Sequence, residues 1–472
     1  MSQRDTKTKI VCTTGPASRG REALRAMIEA GMNVARLNFA HGAFDEHAAT
    51  IAEIRAAARA AGRRVAILAD LPGPKLRIGR LAEQPVELKR GHEFSLAVGD
   101  FTGGATRVST TFEKLPQVVQ PGDTIFLNDG LIQLVVEVVS GDAVRCRVAV
   151  GGALLSHKGI NFPDVELGIS AFTERDRECL AFALAHGVDA IGQSFVQSAD
   201  DVHAVHEAAR AAGRDVSVFA KIERARALQR IDEILAAADG IMVARGDLGV
   251  EIPIETIAIA QKELLQKANA AAKPSITATQ MLLSMVENRR PTRAEVTDVA
   301  NAILDGTDCV MLSEESAVGA YPVDAVRMLS RIAKVTEPHM RPRLEPAPAP
   351  SDPVAETQGL IAASVAHMAL RVAPAGILVP SQAGAMARRI ARYRLPQWIT
   401  AVSPSEATCQ ALQFVYGVEP LHQPERPASW YAFARAHFKD RAASQAGARI
   451  LLTEDVETAE SARVSRLELV EL

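Results

Sequence analysis

The chain of 472 residues lacks most features of membrane, secreted and nucleic-acid-binding proteins. No apolar run approaches the roughly eighteen residues that a membrane-spanning helix needs, and the first fifteen residues contain no apolar signal core. The net charge is −3, whereas non-specific nucleic-acid binding requires a basic face. These absences predict a cytoplasmic globular protein that binds neither membrane nor nucleic acid and has room for about three domains.

Cysteine is also scarce, and its placement excludes several kinds of site. The five cysteines are odd in number and widely scattered, and no pair has the spacing of a metal site or a redox motif. We therefore expect reduced thiols that pack as small apolar side chains. They are Cys12, Cys146, Cys179, Cys309 and Cys409.

What the chain does contain is an alternation of strand-length apolar runs with helical patterns. In Glu22–Ala30, for example, Leu24, Met27 and Ile28 share one helical face. Eight strands that alternate with helices favour a (β/α)8 TIM barrel over an open doubly wound sheet. The predicted strands are Lys9–Thr13, Asn33–Phe39, Val65–Asp70, Ala190–Val196, Val216–Glu223, Gly240–Arg245, Ser275–Gln280 and Cys309–Ser313.

The helical period disappears between the third and fourth predicted strands. A hairpin is the clearest pattern there, with Leu131–Val139 and Ala143–Val150 joined by a Ser-Gly-Asp turn. We read this region as an all-β domain inserted at the carboxyl end of the third strand, where it would act as a lid.

A proline-rich stretch follows the barrel and predicts a linker before a separate C-terminal α/β domain. Predicted strands of that domain are Gly376–Val379, Trp398–Val402 and Ile450–Thr453. The predicted division is barrel 1–72, lid 73–165, barrel 166–340, linker 341–355 and C-terminal domain 356–472.

Charged side chains collect where the predicted strands end. Lys221 and Glu223 alternate with apolar neighbours and so leave one strand on the same side, and Asp247 follows the next strand. Two carboxylates can hold a hard divalent cation while the ammonium meets a moving phosphoryl group. The alternative is a salt bridge at a strand end, which is commoner for a single pair.

Eight motifs in order make the chain resemble the pyruvate kinase family, whose barrel, lid and C-terminal domain match the predicted architecture. The motifs are Thr8–Ser18, Gly31–Gly42, Gly73–Gly79, Phe219–Glu223, Asp239–Pro253, Ala278–Leu282, Arg290–Gly306 and Met311–Pro322. The resemblance implies phosphoryl transfer from phosphoenolpyruvate to ADP, giving pyruvate and ATP, by an enzyme that is usually a homotetramer.

The resemblance also implies roles for individual residues. Glu223 and Asp247 would bind Mg²⁺ or Mn²⁺. The implied catalytic residues are Lys221, Thr279, Arg36, Ser313 and Glu315, the last two and Thr279 as candidates for protonating the enolate. The implied substrate-binding residues are Arg36, Lys221, Ala244, Arg245, Gly246, Asp247 and Thr279. The implied nucleotide-binding residues are Asn38, His41, Arg77 and Lys158, together with Arg36.

One departure from the family lies at its monovalent-cation site. Asn38 and Asp70 remain, but Ala40 replaces a serine, Leu71 a threonine and Lys75 a glutamate. Loss of a hydroxyl ligand weakens a K⁺ site, and the Lys75 ammonium would supply the missing positive charge. We therefore expect activity without K⁺. The alternative is that Lys75 points to solvent and the site has merely lost affinity.

A second departure lies in the C-terminal domain. The loop Ser381–Arg388 has one hydroxyl where relatives activated by sugar phosphates have a Ser/Thr-rich phosphate loop, and Thr453–Glu460 carries four carboxylates that would repel a phosphate. We expect no activation by fructose 1,6-bisphosphate at this place. The neighbouring Arg388, Arg389, Arg392 and Arg394 could attract another anion, although a solvated or interface role is commoner.

Two other functions make different predictions about these residues. A metal-dependent aldolase acting on pyruvate enolate would not need the lid or the nucleotide-facing residues. A catalytically silent relative that serves as a binding protein would be expected to lose Lys221, Glu223, Asp247 or Thr279, and all four are present.

Overall fold

The computed structural model describes residues 6–74, 76–163, 165–344, 353–442, 447–457 and 463–472. Its first part alternates strands with helices, as the sequence predicts. Each strand is buried along nearly its whole length, as expected when a sheet is covered on both faces. The elements are β1 (Lys9–Thr13), α1 (Arg21–Ala30), β2 (Val34–Asn38), α2 (Phe44–Ala60) and β3 (Ala66–Asp70).

An all-β insertion follows β3. It contains a six-stranded sheet in the order β11-β7-β8-β9-β5-β6 and a two-stranded sheet of β10 and β4. The predicted hairpin is confirmed as β8 and β9. The elements are β4 (Val86–Leu88), β5 (Glu93–Val98), β6 (Arg107–Thr110), α3 (Leu115–Val118), β7 (Thr124–Leu127), β8 (Ile132–Ser140), β9 (Ala143–Val150), β10 (Gly152–Leu154) and β11 (Ile160–Asn161).

The chain then returns to the barrel. Capping boxes at Thr173 and Thr292 satisfy the first N–H groups of two of its helices. The elements are α4 (Glu174–Ala185), β12 (Ala190–Gln193), α5 (Ala199–Ala211), β13 (Ser217–Ile222), α6 (Ala225–Gln229), α7 (Ile231–Ala237), β14 (Gly240–Ala244), α8 (Arg245–Glu251), α9 (Ile257–Ala270), β15 (Ser275–Ala278), α10 (Arg293–Leu304), β16 (Cys309–Leu312), α11 (Glu314–Ala317) and α12 (Pro322–Thr336).

The eight predicted barrel strands close into one parallel barrel in the order β1-β16-β15-β14-β13-β12-β3-β2. The TIM-barrel prediction is therefore confirmed. All five cysteines are buried free thiols, also as expected. Within the described ranges, no helix is both long and apolar enough to cross a bilayer.

The C-terminal part forms a five-stranded sheet in the order β19-β18-β17-β20-β21, with only β21 antiparallel to its neighbour. The sequence analysis located β17, β18 and β20 but missed β19 and β21. Most of the predicted linker lies outside the described residues. The elements are α13 (Pro353–Val372), β17 (Gly376–Pro380), α14 (Ala385–Ala391), β18 (Ile399–Ser403), α15 (Glu406–Ala411), β19 (Val418–His422), α16 (Trp430–Ala442), β20 (Arg449–Glu457) and β21 (Arg463–Glu471).

A buried arginine fastens the insertion to the barrel. The Arg224 side chain is 4% exposed, and its Nε lies 3.2 Å from Glu251 Oε2. Its Nη2 donates to the carbonyls of Phe162 (3.2 Å) and Val165 (3.3 Å) at the end of the insertion. One guanidinium therefore links β13, α8 and the point where the chain leaves the lid.

The C-terminal domain inserts an aromatic side chain into the barrel interior. Phe414 is fully buried within the layer of inward-facing barrel residues, and its ring centroid lies 4.7 Å from that of Phe219 on β13. Beside it, the Arg394 guanidinium bonds both carboxylate oxygens of Asp308 at 3.0 and 2.9 Å. These contacts close the amino-terminal end of the barrel.

We expect Phe414→Ala to destabilise the protein by about 3–5 kcal/mol, because the rigid barrel cannot collapse around the cavity. Both tryptophans, Trp398 and Trp430, lie in the C-terminal domain, so the urea midpoint of their fluorescence transition measures the effect. Tyr431→Ala is the control, because Tyr431 is 47% exposed. An unchanged midpoint for Phe414→Ala would contradict the inferred packing.

Candidate active site

Two inward-facing side chains of opposite charge, Arg36 on β2 and Asp70 on β3, lie at the carboxyl end of the barrel. Arg36 Nε and Nη2 lie 2.6 and 2.5 Å from Asp70 Oδ2, and Arg36 Nη1 donates to Thr13 Oγ1 at 2.9 Å. Both side chains are almost completely buried. Burial alone would raise the pKa of the Asp70 carboxyl, but Arg36 and Lys221 hold that pKa below its usual range.

Lys221 on β13, which is separated from β3 by one strand, joins this pair. Its Nζ lies 2.8 Å from Glu223 Oε1, 3.2 Å from Asp70 Oδ1 and 2.7 Å from Ser194 Oγ. Burial alone would lower the pKa of Lys221, but the two carboxylates outweigh that effect and raise it. Lys221 is therefore a fixed cation. The salt bridge considered from the sequence exists, but as part of a four-charge network of Arg36, Asp70, Lys221 and Glu223.

A glycine makes the contact between Lys221 and Asp70 possible. Strand β12 lies between β3 and β13, and Gly192 on β12 is paired with Asp70. A Cβ at this position would lie 3.3 Å from Asp70 Oδ1. The missing side chain leaves room for the ammonium to reach the carboxylate over the intervening strand.

Glu223 and Asp247 are the two carboxylates predicted to bind a metal. Burial raises the pKa of Glu223 to about 6, a rise that Lys221 opposes and Asp247 adds to. Glu223 Oε2 also accepts the Phe195 N–H at 2.8 Å. Asp247 lies at the rim in the first turn of α8, where partial desolvation and the nearby Asp129 carboxylate raise its pKa against the effect of Lys221.

The donor set suits a hard divalent cation that keeps open coordination positions. Carboxylate oxygens are the ligands that Mg²⁺ and Mn²⁺ prefer, and Mg²⁺ is usually held by one or two carboxylates plus water and substrate oxygens. A dication beside Glu223 and Asp247 would favour their ionised forms. No group of three or more His, Cys, Asp or Glu side chains suited to a metal occurs in the described ranges. The two-carboxylate site therefore fits a metal shared with a substrate.

Thr279 adopts an unusual backbone conformation at the end of β15. Its φ is +67°, and that of Gln280 is +54°. A β-branched residue with positive φ is uncommon and strained, and such residues cluster at functional sites. Thr279 Oγ1 accepts the Gly246 N–H at 2.8 Å and donates to the Ala278 carbonyl at 2.6 Å. The hydroxyl is thus held against the start of α8.

The remaining predicted substrate and proton-transfer residues have mainly structural contacts. The Arg245 side chain turns outward to Asp298 (2.7 Å) and the Thr279 carbonyl (2.7 Å), so only its backbone faces the site. The oxygens of buried Glu315 accept the N–H groups of Leu282 (3.0 Å) and Ser313 (2.7 Å). Glu315 therefore fixes the ends of β15 and β16. Ala244 is the buried last residue of β14.

The predicted nucleotide-binding residues come from both the barrel and the lid. Asn38 ends β2, and His41 is exposed in the loop after it. Arg77 is exposed at the start of the insertion and donates to the His157 carbonyl at 2.8 Å. Lys158 is half-buried, and its carbonyl accepts the Ile78 N–H at 3.0 Å. Arg77 and Lys158 therefore lie on neighbouring segments of the lid.

The residues of the predicted monovalent-cation site already have protein partners. Asn38 Oδ1 accepts the Ala40 N–H at 3.1 Å, and the Leu71 carbonyl accepts the Ser194 hydroxyl at 2.7 Å. Asp70 is engaged by Arg36 and Lys221. Lys75, on which the predicted substitution of the cation depends, lies outside the described residues.

Three further contributors to this site are not predicted from the sequence. Ser194 accepts from Lys221, Gly192 leaves the space described above, and Asp129 on the lid approaches Asp247. Ser194 lies within the predicted strand Ala190–Val196 and directly follows β12 in the structure, so a polar residue near the carboxyl end of that strand was a usable signal. Gly192 and Asp129 act only through the packing of distant segments, and the sequence gives no signal for that.

Comparisons with known proteins identify the family of the chain over most of its length. The family model described as pyruvate kinase, barrel domain, matches residues 5–326, and the model described as pyruvate kinase, alpha/beta domain, matches residues 360–468. The chain is 50% identical to a pyruvate kinase of Thermococcus litoralis over 427 residues, which cover 89% of both chains. It is 43% identical to a pyruvate kinase of Mycobacterium tuberculosis over 418 residues, or 88% of both chains.

The fold has a similar solved relative. The crystal structure of a pyruvate kinase from Cryptosporidium parvum matches with a TM-score of 0.91 and 34% sequence identity. The match covers 99% of this chain and 96% of the other.

Mn²⁺ binding should weaken in acid earlier than at an ordinary carboxylate site. The pKa of Glu223 is raised to about 6, so a proton competes with the metal below that pH. Apparent affinity at pH 5 should be about tenfold lower than at pH 7.5, as measured by electron paramagnetic resonance of free Mn²⁺. Glu223→Gln should abolish binding, and Glu255→Gln, at an exposed position, should not. An affinity that is constant over this pH range would contradict the prediction.

Proposed function

Because the chain belongs to the pyruvate kinase family of phosphotransferases, we propose that it transfers the phosphoryl group of phosphoenolpyruvate to ADP, giving pyruvate and ATP. The observation that carries this proposal is the fixed Lys221 ammonium beside Glu223, with Asp247 at the rim of the same barrel end. This combination provides a cation for the phosphoryl group and oxygen ligands for a metal.

Glu223 and Asp247 are the proposed ligands of Mg²⁺ or Mn²⁺. When bound, such a metal would neutralise phosphoryl charge and orient the substrate. The Lys221 ammonium is compact and charged, so from its fixed position it would stabilise the phosphoryl group as that group passes between donor and acceptor oxygens. Its contacts with Asp70, Glu223 and Ser194 hold it in place before substrate arrives. That preorganisation reduces the cost of reaching the transition state.

The proposed substrate-carboxylate site lies at the start of α8. Residues Ala244, Arg245, Gly246 and Asp247 would contribute backbone N–H groups, and Thr279 a hydroxyl. Gly246 has no side chain to obstruct the approach. We assign protonation of the enolate to the Thr279 and Ser313 hydroxyls acting through water. Glu315 is the third candidate, and its oxygens, like the Thr279 hydroxyl, already have backbone partners.

The nucleotide is proposed to lie between barrel and lid. Arg36, Asn38 and His41 would face its phosphates from the barrel, and Arg77 and Lys158 from the lid. Asp129 of the lid approaches Asp247, so lid position also changes the charge around the proposed metal. We also propose a homotetrameric assembly and a cytoplasmic location. The proposed domain limits are 72/73, 165/166, 340/341 and 355/356.

Lys221→Met should lower kcat by about a hundredfold to a thousandfold, because it removes the charge that meets the phosphoryl group. Initial rates of pyruvate formation from phosphoenolpyruvate and ADP measure this effect. Lys267→Met removes an exposed lysine that pairs with Asp232 and should leave kcat unchanged. Equal rates for Lys221→Met and the unmodified protein would refute the assignment.

We also propose that the enzyme works without K⁺. A monovalent cation would need oxygens of Asn38, Asp70 and Leu71. These oxygens already accept hydrogen bonds or form ion pairs within the protein. Ala40 offers no hydroxyl. Lys75 would supply the missing positive charge.

Activity in buffer free of Na⁺ and K⁺ should equal activity in K⁺ buffer. Lys75→Glu should make the rate depend on K⁺, because it exchanges the internal cation for a carboxylate. Lys89→Glu makes the same charge change at an exposed position of the insertion and should not create this dependence. Negligible activity that K⁺ restores in the unmodified protein would exclude the proposal.

Fructose 1,6-bisphosphate should not activate the enzyme at the Ser381 loop. Ser381 Oγ already accepts the Gly384 N–H at 2.9 Å, and Glu454 pairs with Arg426 nearby. Residues 458–460 of the predicted carboxylate-rich loop lie outside the described ranges, and the rest of that segment belongs to β20. The measurement is the phosphoenolpyruvate saturation curve with and without the effector. Saturable activation that Ser381→Ala abolishes would overturn the prediction.

A further inference from the structure

A buried ion pair links the two segments that carry the proposed metal ligands. Arg224 directly follows Glu223 at the end of β13. Glu251 is the last residue of α8 and lies about one helical turn after Asp247. Arg224 Nε is 3.2 Å from Glu251 Oε2, and the two side chains are 4% and 1% exposed. The pair therefore joins the neighbour of one ligand to the helix of the other.

The backbone explains how neighbouring residues serve different contacts. At Arg224, φ is −117° and ψ is 144°, which is an extended conformation. Successive side chains of an extended segment point to opposite sides, so Glu223 faces Lys221 while Arg224 faces α8. Helical residues four positions apart share a face, so Glu251 lies on the same face of α8 as Asp247. The ion pair therefore fixes that face of α8 against the end of β13.

The same arginine is held by the lid. Its Nη2 donates to the carbonyls of Phe162 (3.2 Å) and Val165 (3.3 Å), where the chain leaves the insertion. The lid also approaches α8 directly, because a Cβ on Gly130 would lie 3.3 Å from Val250 Cγ2. The lid therefore contacts α8 at one point directly and at a second point through Arg224.

Stability alone does not account for a charged pair at this position. Taking two charges out of water is costly, and their attraction offsets that cost only when the geometry is excellent. Arg224 Nη1 is buried and has no hydrogen-bond partner among the described residues, so this geometry is incomplete. Apolar side chains of similar volume often stabilise such a site equally well. A planar guanidinium differs from them in fixing the directions of its contacts.

We propose that Arg224 and Glu251 are positioning residues, which hold Asp247 where one divalent cation can use both its carboxylate and that of Glu223. Neither residue of the pair contacts the metal. Arg224 acts through the end of β13 and Glu251 acts through α8, while the lid carbonyls orient the guanidinium. This role rests on the proposed function, in which Glu223 and Asp247 are the metal ligands.

The dissociation constant of Mn²⁺, measured by electron paramagnetic resonance of the free ion in the full chain, tests the role. By charge alone, Arg224→Met should tighten Mn²⁺ binding and Glu251→Gln should weaken it. A positioning role predicts instead that both substitutions weaken binding by about tenfold or more, as is usual for residues that orient metal ligands. Arg224→Lys keeps the charge but loses the planar fork, and it should weaken binding to a similar extent.

Two further variants separate positioning from stability. Arg224→Met/Glu251→Leu replaces both charges together, so its thermal midpoint should exceed those of the single variants while Mn²⁺ affinity stays low. Arg394→Lys is the matched control at the amino-terminal end of the barrel. Arg394 is similarly buried, pairs with Asp308 and donates to the Gly306 carbonyl at 2.6 Å. Its substitution should lower the thermal midpoint and leave the Mn²⁺ dissociation constant unchanged.

Three results would overturn the positioning role and leave the metal site itself intact. They are Mn²⁺ binding by Arg224→Met that is as tight as in the unmodified protein or tighter, full recovery of affinity in the double variant, and equal loss of affinity in Arg224→Lys and Arg394→Lys. A different result, no Mn²⁺ binding by the unmodified protein, would refute the ligand assignment in the proposed function and the positioning role with it.

Discussion

The active end of the barrel depends on one network of four buried charges. The network joins the ends of three strands through Arg36, Asp70, Lys221 and Glu223. Its two positive and two negative charges neutralise one another within about the width of the barrel. A buried charge without a partner costs several kcal/mol, so each member requires the others. The network therefore fixes the ends of β2, β3 and β13 relative to one another. It also keeps Lys221 charged and stationary, which is the property that phosphoryl transfer would use.

Much of the fold follows from the sequence because it is encoded locally. The eight barrel strands, the β8–β9 hairpin and the order of domains are each visible as periodicity and turn residues within short windows. β19 was not predicted because Val418–His422 is short and contains a proline, and β21 because Arg463–Glu471 is mostly polar. The Phe414 contact could not be predicted, because its partner lies in a different domain.

The site divides in a similar way. Lys221, Glu223 and Asp247 could be recognised because two of them alternate on one strand and the third follows the next strand. The pairing of Lys221 with Asp70 could not, because it crosses an intervening strand and depends on the missing side chain of Gly192. The roles of Ser194 and Asp129 likewise come from which segments meet in space. The sequence predicts which chemical groups lie at this end of the barrel but not the packing that orients them.

The aromatic contact at the amino-terminal end of the barrel constrains how such a protein can evolve. Phe414 belongs to one domain by sequence but completes the interior layer of another. A C-terminal domain acquired from a relative by recombination would need a side chain that fills the space beside Phe219. Without one, the recipient barrel would contain a cavity. We expect the residues on the two sides of this contact to change together between lineages, even though more than 190 positions separate them in the chain. The packing of the two domains is therefore coupled at this point.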